Sequence, residues 1–291
     1  MASALWMLLA AFLFAVLGAF VQLATPDMGT MGIVCYRGIF AVVTIWAWAA
    51  WVGQSVRTRQ YRAHCIRSFL GVLSMSFWLW SLSKLPLGTS MTLTYTTPLF
   101  MAAGVLIYDA VKRIRPEWSL AIASIVGFAG VAMVMQPEFT ATQLLGVAAG
   151  LASALLGAIT AVQIRQLAQL HEPSWRVVFY FSALCIPVGL AGHLAWEPSL
   201  HVDWMTVWYA VGIGLSATVA QIAVTKAWSG GNLLVNAIVQ YAGILFGAAI
   251  GALLYGDTVS LRAAFGMLII VGTGVFATMQ MRAGKKKAAR R

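Results

Sequence analysis

Ionised side chains are scarce in this chain. Of its 291 residues 61% are hydrophobic and only 9% charged, against about 25% charged in soluble domains. A water-soluble globule is therefore a poor fit. Acids are scarcer still, with eight carboxylates against 19 Lys and Arg, and none stands at the centre of an apolar run. Proton-coupled pumps commonly use carboxylates at such depth, so a central carboxylate relay is not expected. Three cysteines, Cys35, Cys65 and Cys185, are isolated and lack CxxC spacing, which argues against a disulfide framework or a thiolate metal site. The four histidines (His64, His171, His193 and His201) show neither HExxH nor His-x-His spacing, so each reads as a loop or interfacial residue. A P-loop is missing, which leaves an ATP-driven mechanism unsupported. A membrane-embedded enzyme would need a catalytic pair at depth, and neither HExxH nor Gly-x-Gly-Asp occurs. The chain is expected to be no enzyme, with no catalytic residue, metal or cofactor.

What the chain does have is apolar runs. A helix crossing a bilayer needs ~20 mostly apolar residues, and the length accommodates about ten crossings with short connections. The pattern predicts an all-α integral membrane protein with spans near 3–24, 29–52, 68–85, 88–109, 118–136, 142–163, 175–195, 205–227, 232–255 and 262–281. Pro, Gly and charges mark the connections. If the N-terminus is cytoplasmic, alternation leaves Lys84 and Arg262 outside and Arg37 within the membrane, and the other 16 of the 19 basic residues fall inside. The positive-inside rule then puts both termini in the cytoplasm. The net charge of +11 is thus a topology signal and not a nucleic-acid surface. The basic tail, residues 283–291, reads as an anchor at anionic membrane lipid.

The halves resemble each other. Ala15-Val16-Leu17-Gly18-Ala19-Phe20 matches Ala154-Leu155-Leu156-Gly157-Ala158-Ile159, and the same offset pairs Arg37 with Arg176. At a slightly larger offset, Ser83-Lys84 and Gly88 match Thr225-Lys226 and Gly230. These alignments predict one five-helix repeat over 1–137 and a second over 138–282. Five is odd, so the copies enter the membrane in opposite senses. Inverted repeats of this kind are typical of transporters, with the substrate site near the midplane between them.

Several stretches carry a family resemblance over nearly the whole chain. They are Cys35-Tyr36-Arg37-Gly38-Ile39-Phe40-Ala41, similar to an Arg-Phe-x-x-Ala pattern, Leu82 through Ser90, and Thr94-Tyr95-Thr96-Thr97-Pro98-Leu99-Phe100. With ten short spans in two halves, the chain resembles the EamA branch of the drug/metabolite transporter superfamily. Within it, the chain looks like the YddG-like exporters of aromatic and other neutral amino acids. Leu253-Leu254-Tyr255-Gly256-Asp257 stands where the family has Gly-Glu, and the first half departs from that pattern, with Ile107-Tyr108-Asp109. The resemblance implies a multi-pass protein of the bacterial inner membrane that exports small metabolites by alternating access. Another small organic solute, such as a nucleoside, S-adenosylmethionine or a drug, is the alternative cargo. A monomer is compatible with the pattern, which does not fix the oligomeric state.

A zwitterionic aromatic solute needs donors for its carboxylate, acceptors for its ammonium and a π-rich pocket. The candidate substrate-binding residues are Trp78, Lys84, Met91, Thr94, Tyr95, Pro98, Gln163, Asn236, Gln240 and Tyr241. Met91, Thr94, Tyr95 and Pro98 share one helix face, and Pro98 frees a backbone carbonyl. Asn236 and Gln240 are four apart with Tyr241 adjoining, and either line the site or bond between helices. Arg37, Lys226 and Asp257 are the candidate gating or structural charges. Arg37 either meets substrate or pairs with a carboxylate such as Asp257, or with backbone carbonyls, to hold the outer gate together. Lys84 and Lys226 sit at span ends, where long side chains also snorkel.

Overall fold

Lipid offers the backbone no hydrogen-bond partners, so each apolar run must satisfy its own N–H and C=O groups as helix. The computed structural model describes residues 2–113, 116–138, 140–197, 203–256 and 260–288. Their helices are α1 (Ala2–Met28), α2 (Thr30–Trp51), α3 (Tyr61–Lys84), α4 (Leu87–Thr94), α5 (Thr97–Lys112) and α6 (Trp118–Met135). After a 3₁₀ turn at Ala141–Gln143 come α7 (Leu144–Gln169), α8 (Ser174–Trp196), α9 (Trp204–Ser229), α10 (Leu233–Gln240), α11 (Ala242–Tyr255) and α12 (Leu261–Ala288). They make ten candidate membrane spans. Two spans are broken, α4 with α5 and α10 with α11.

Several helix ends run past expectation, α7 to Gln169 and α12 to Ala288 among them, and two boundaries in the first half bear on the site. Helix α1 runs through Pro26 to Met28, because a proline in the last turn forfeits only one bond there and Gly29 N–H still reaches the Thr25 carbonyl at 2.9 Å. Helix α3 begins at Tyr61, seven residues before the expected Ser68. The basic segment before Ser68 is polar by composition yet winds as helix, since arginine is a good helix former. This carries Arg67 into the protein interior.

The broadest helix–helix interfaces are α1 on α9, α3 on α7, α2 on α8 and α6 on α12. Counted by span, exchanging the first five for the last five maps α1–α9 onto α7–α3 and maps each of the other two onto itself. Small residues permit the close crossings. A Cβ at Gly38 would stand 2.8 Å from the Ser182 carbonyl of α8, and one at Gly130 would stand 2.8 Å from the Gly266 carbonyl of α12. Leucines and isoleucines such as Leu5, Ile107, Leu194, Leu253 and Leu268 remain exposed, as a lipid face requires. Trp46, Trp48, Trp51, Trp196, Trp204 and Trp208 are also exposed, near span ends, the positions where tryptophan is enriched at membrane interfaces.

Candidate substrate path

The first helix break follows from Pro98. Lacking an N–H, it cannot bond the Thr94 carbonyl, and α4 stops at that residue. Hydroxyls take over: Thr97 Oγ1 donates to the Thr94 carbonyl at 2.8 Å, and Thr96 Oγ1 to the Leu93 carbonyl at 2.6 Å. The second break has no proline. Tyr241 N–H bonds the Ile238 carbonyl and Ile244 N–H bonds the Tyr241 carbonyl, both at 3.1 Å, a 3₁₀-type tightening at the junction. The fully buried Tyr241 ring lies against Gly127, and its hydroxyl donates to the Ser124 carbonyl at 3.2 Å. The two breaks meet. The Tyr95 and Tyr241 ring centroids are 6.3 Å apart, and a Cβ at Gly243 would stand 3.0 Å from the Tyr95 hydroxyl.

Among the buried polar atoms that lack protein partners are Gln240 Oε1 beside the junction, Asn236 Oδ1 one turn earlier on α10, and Trp78 Nε1 on α3. Met91 and Thr94 are half-buried on α4, and Thr94 bonds its own helix at the Ser90 carbonyl. Gln163 is half-buried on α7. Asn236 is fully buried, but its Nδ2 donates to the carbonyls of Ala227 and Gly230. That ties α10 to the end of α9, so the amide nitrogen holds the fold. Lys84 is exposed at the end of α3, where its carbonyl accepts from Gln143 at 3.1 Å. Lys226 is exposed on α9 with its ammonium 4.4 Å from the Trp6 ring centroid. Asp257 lies outside the described residues.

One face of α3 carries the largest electrostatic feature. His64, Arg67, Gly71, Met75 and Trp78 recur at helical spacing and share that face. Arg67 keeps only 3% of its surface exposed, and its Nε and Nη1 have no hydrogen-bond partner. Its guanidinium carbon is 4.4 Å from the Phe181 ring centroid of α8, and that of Arg37 is 6.0 Å from the same centroid. Arg37 otherwise meets weak sulfur acceptors, Met75 Sδ, 3.8 Å from its Nη2, and the Cys185 thiol. The carboxylate partner expected for Arg37 is not found among the described residues, whose ion pairs are His64–Glu172, Arg176–Glu172 and His193–Glu197. Two cations thus share one ring within about 10 Å of each other, and at an effective dielectric of about 20 they repel by roughly 1.5 kcal/mol or more. Cation–π attraction of about 0.5–2 kcal/mol falls short of a desolvation cost of several kcal/mol per buried ion.

Each end of the α2–α8 pair is latched by a carboxylate. At the arginine-rich end, Glu172 accepts from Thr58 Oγ1, from Arg176 Nη1 at 2.9 Å and from His64 Nε2 at 3.1 Å. Arg176 also donates to the Ser55 carbonyl at 2.8 Å, and Tyr180 to the Val56 carbonyl at 3.2 Å, which straps the 52–60 loop to α8. Burial pushes the Glu172 carboxyl up, but the bonds from Thr58, Arg176 and His64 outweigh it and leave it below its ordinary value. At the opposite end, Glu197 accepts from the N–H groups of Met31 at 2.6 Å and Gly32 at 2.9 Å, in the first turn of α2, and pairs with His193. Its carboxyl too is raised by burial and lowered further by those three bonds. A carboxylate at a helix N-terminus is stabilised by the orphan N–H groups and the dipole. A Cβ at Gly29 (φ 67°) would collide with that carboxylate, so the turn needs glycine.

The structure brings Tyr95, Pro98, Gln240 and Tyr241 together around the two breaks, and sets Lys84 and Lys226 at exposed ends. Arg67, Phe181, Glu172 and Glu197 are absent from the residues expected from sequence. With α3 beginning at Tyr61, the spacing of Arg67 with His64, Gly71 and Trp78 puts it on one helix face. His64 is a buried helix residue rather than a loop one.

Comparison with known proteins agrees with this architecture. The EamA-like transporter family matches residues 1–136. A riboflavin transporter of Vibrio cholerae serotype O1 is 29% identical over 95% of this chain and 92% of its own length. A pseudopaline exporter of Pseudomonas aeruginosa is 25% identical over 90% of this chain and 91% of its own. A crystal structure 18% identical in sequence superposes with a TM-score of 0.82 over 97% of this chain and 98% of that one, which establishes the shared fold.

Proposed function

We propose that this ten-span chain, similar over residues 1–136 to the EamA-like transporter family and along its length to small-molecule transporters, exports aromatic or neutral amino acids by alternating access. In this reading residues 1–137 and 138–282 are inverted five-span repeats, and solute crosses between them at the junction of the broken spans. One observation carries it. Both halves break their fourth span, and the breaks abut through Tyr95 and Tyr241 beside Gln240, whose buried amide oxygen lacks a partner. Discontinuous helices in corresponding positions are the strongest pointer to a transporter site. Trp78 and Tyr95 supply ring faces and Gln240 an acceptor, as an aromatic zwitterion requires.

A second cargo is favoured by the names of the relatives, one for riboflavin and one for pseudopaline. Under it the same path carries a different small organic solute. Counterflow in vesicles bearing the purified chain decides between them: saturable, ATP-independent exchange of labelled phenylalanine or tryptophan supports the first. Exchange of another metabolite from a broad panel, with none of the amino acids, assigns the second. Tyr95→Ala should abolish exchange of either cargo while the protein still reaches the membrane, and unimpaired exchange would remove the proposed path.

A further inference from the structure

We propose that Arg67 and Arg37, set around Phe181, form an anion site for the carboxylate of the transported solute. The proposal rests on the transport reading above and adds a substrate class to it, organic acids and zwitterions over neutral or cationic solutes.

Three observations converge. Arg67 is buried, and two of its three guanidinium nitrogens have no protein partner. A second guanidinium, that of Arg37, approaches the same ring from α2 and meets only sulfur acceptors, Met75 Sδ and the Cys185 thiol, among the described residues. Glu172, which meets His64 on the same face of α3, is already bonded to Thr58, His64 and Arg176. A buried charge without a counter-ion is held at a cost unless a ligand supplies one. A guanidinium is a planar multi-donor partner for carboxylates, and Arg67 leaves Nε and Nη1, donors on opposite edges of the group, unpaired. Arg67 lies six residues, ~9 Å of helix, from the start of α3 at the expected cytoplasmic side. Trp78, eleven residues further along the same face, presents a buried, unpartnered indole N–H ~16 Å onward, so donors extend from the anion site toward the broken spans.

Benzoate and benzamide are the probes, matched in shape and differing in charge. The full chain in lipid nanodiscs should bind benzoate by calorimetry, and bind benzamide at least tenfold more weakly. Arg67→Met should weaken benzoate about 10- to 100-fold, as expected for loss of charge-assisted bonds, and Arg37→Met should weaken it less. Arg67→Lys should keep the charge yet lose the planar, multi-donor head, with intermediate affinity. The wild-type comparison needs no variant to fold. Equal affinity for the two probes, or benzoate binding unchanged by both Arg67→Lys and Arg37→Met, overturns the proposal. Benzoate binding that depends on Arg67, found without any amino-acid exchange, keeps the anion site and discards the amino-acid cargo. Amino-acid exchange whose KM is indifferent to Arg67→Lys, with no benzoate preference, keeps transport and discards the site.

Discussion

Replacing Glu172 by glutamine removes one charge while keeping shape. In the native protein this carboxylate holds Thr58, His64 and Arg176 in one cluster at the arginine-rich end of α2, α3 and α8, with a side chain only 7% exposed. A glutamine oxygen still accepts from Thr58. The bonds to Arg176 and His64 lose their charge assistance, falling from about 1.5–3 to about 0.5–1.5 kcal/mol each. The net loss is therefore about 1–3 kcal/mol, and opening of the strap should rise roughly 5- to 150-fold. Hydrogen exchange at residues 54–58 reads this opening locally, and thermal unfolding reads it globally. The acid limb supplies a second reading. The Glu172 carboxyl lies below its ordinary value of 4.5 when folded, so its contribution is complete above that value and fades as pH falls through the lower, folded one. The wild type should lose strap protection on acidification below about pH 4.5, and Glu172→Gln should be flat there. Identical exchange in both proteins at pH 7, with identical acid profiles, would refute the latch.

Three further perturbations follow from the same geometry. Glu197→Gln should loosen the opposite end by about 1 kcal/mol, seen as faster exchange at Met31 and Gly32 with residues 54–58 untouched. Asn236→Ala should lower thermal stability, because it removes two bonds from a fully buried amide at about 1–3 kcal/mol. Unchanged melting would return Asn236 to the solute path. Gly38→Leu should block the α2–α8 crossing, where even a Cβ meets the Ser182 carbonyl at 2.8 Å, and normal folding and flux would contradict that packing.

The number of spans was legible because an apolar run of ~20 residues has few alternatives to a membrane helix. The break at Tyr95–Thr96 was legible through Pro98, whose effect is local and covalent. The break at Tyr241 was not, since it depends on an anchor to Ser124 on another span. Arg67 was hidden for a related reason. Hydropathy alone placed it in a connection, whereas its burial is set by Phe181 and Gly71 in the folded bundle. Long-range contact also decided Asn236, whose amide reaches nine residues back to the end of α9. Asp257, expected as a counter-charge to Arg37, lies outside the described residues.

Opposed motion of the two latched ends is the central claim, and paired spin labels measure it most directly. In a background with Cys35, Cys65 and Cys185 changed to serine, Gln54→Cys with His171→Cys spans the arginine-rich end. Pro26→Cys with Trp196→Cys spans the other. Addition of transported solute in nanodiscs should widen one distance distribution while narrowing the other. Two distributions that stay fixed, or that widen together, would contradict alternating access.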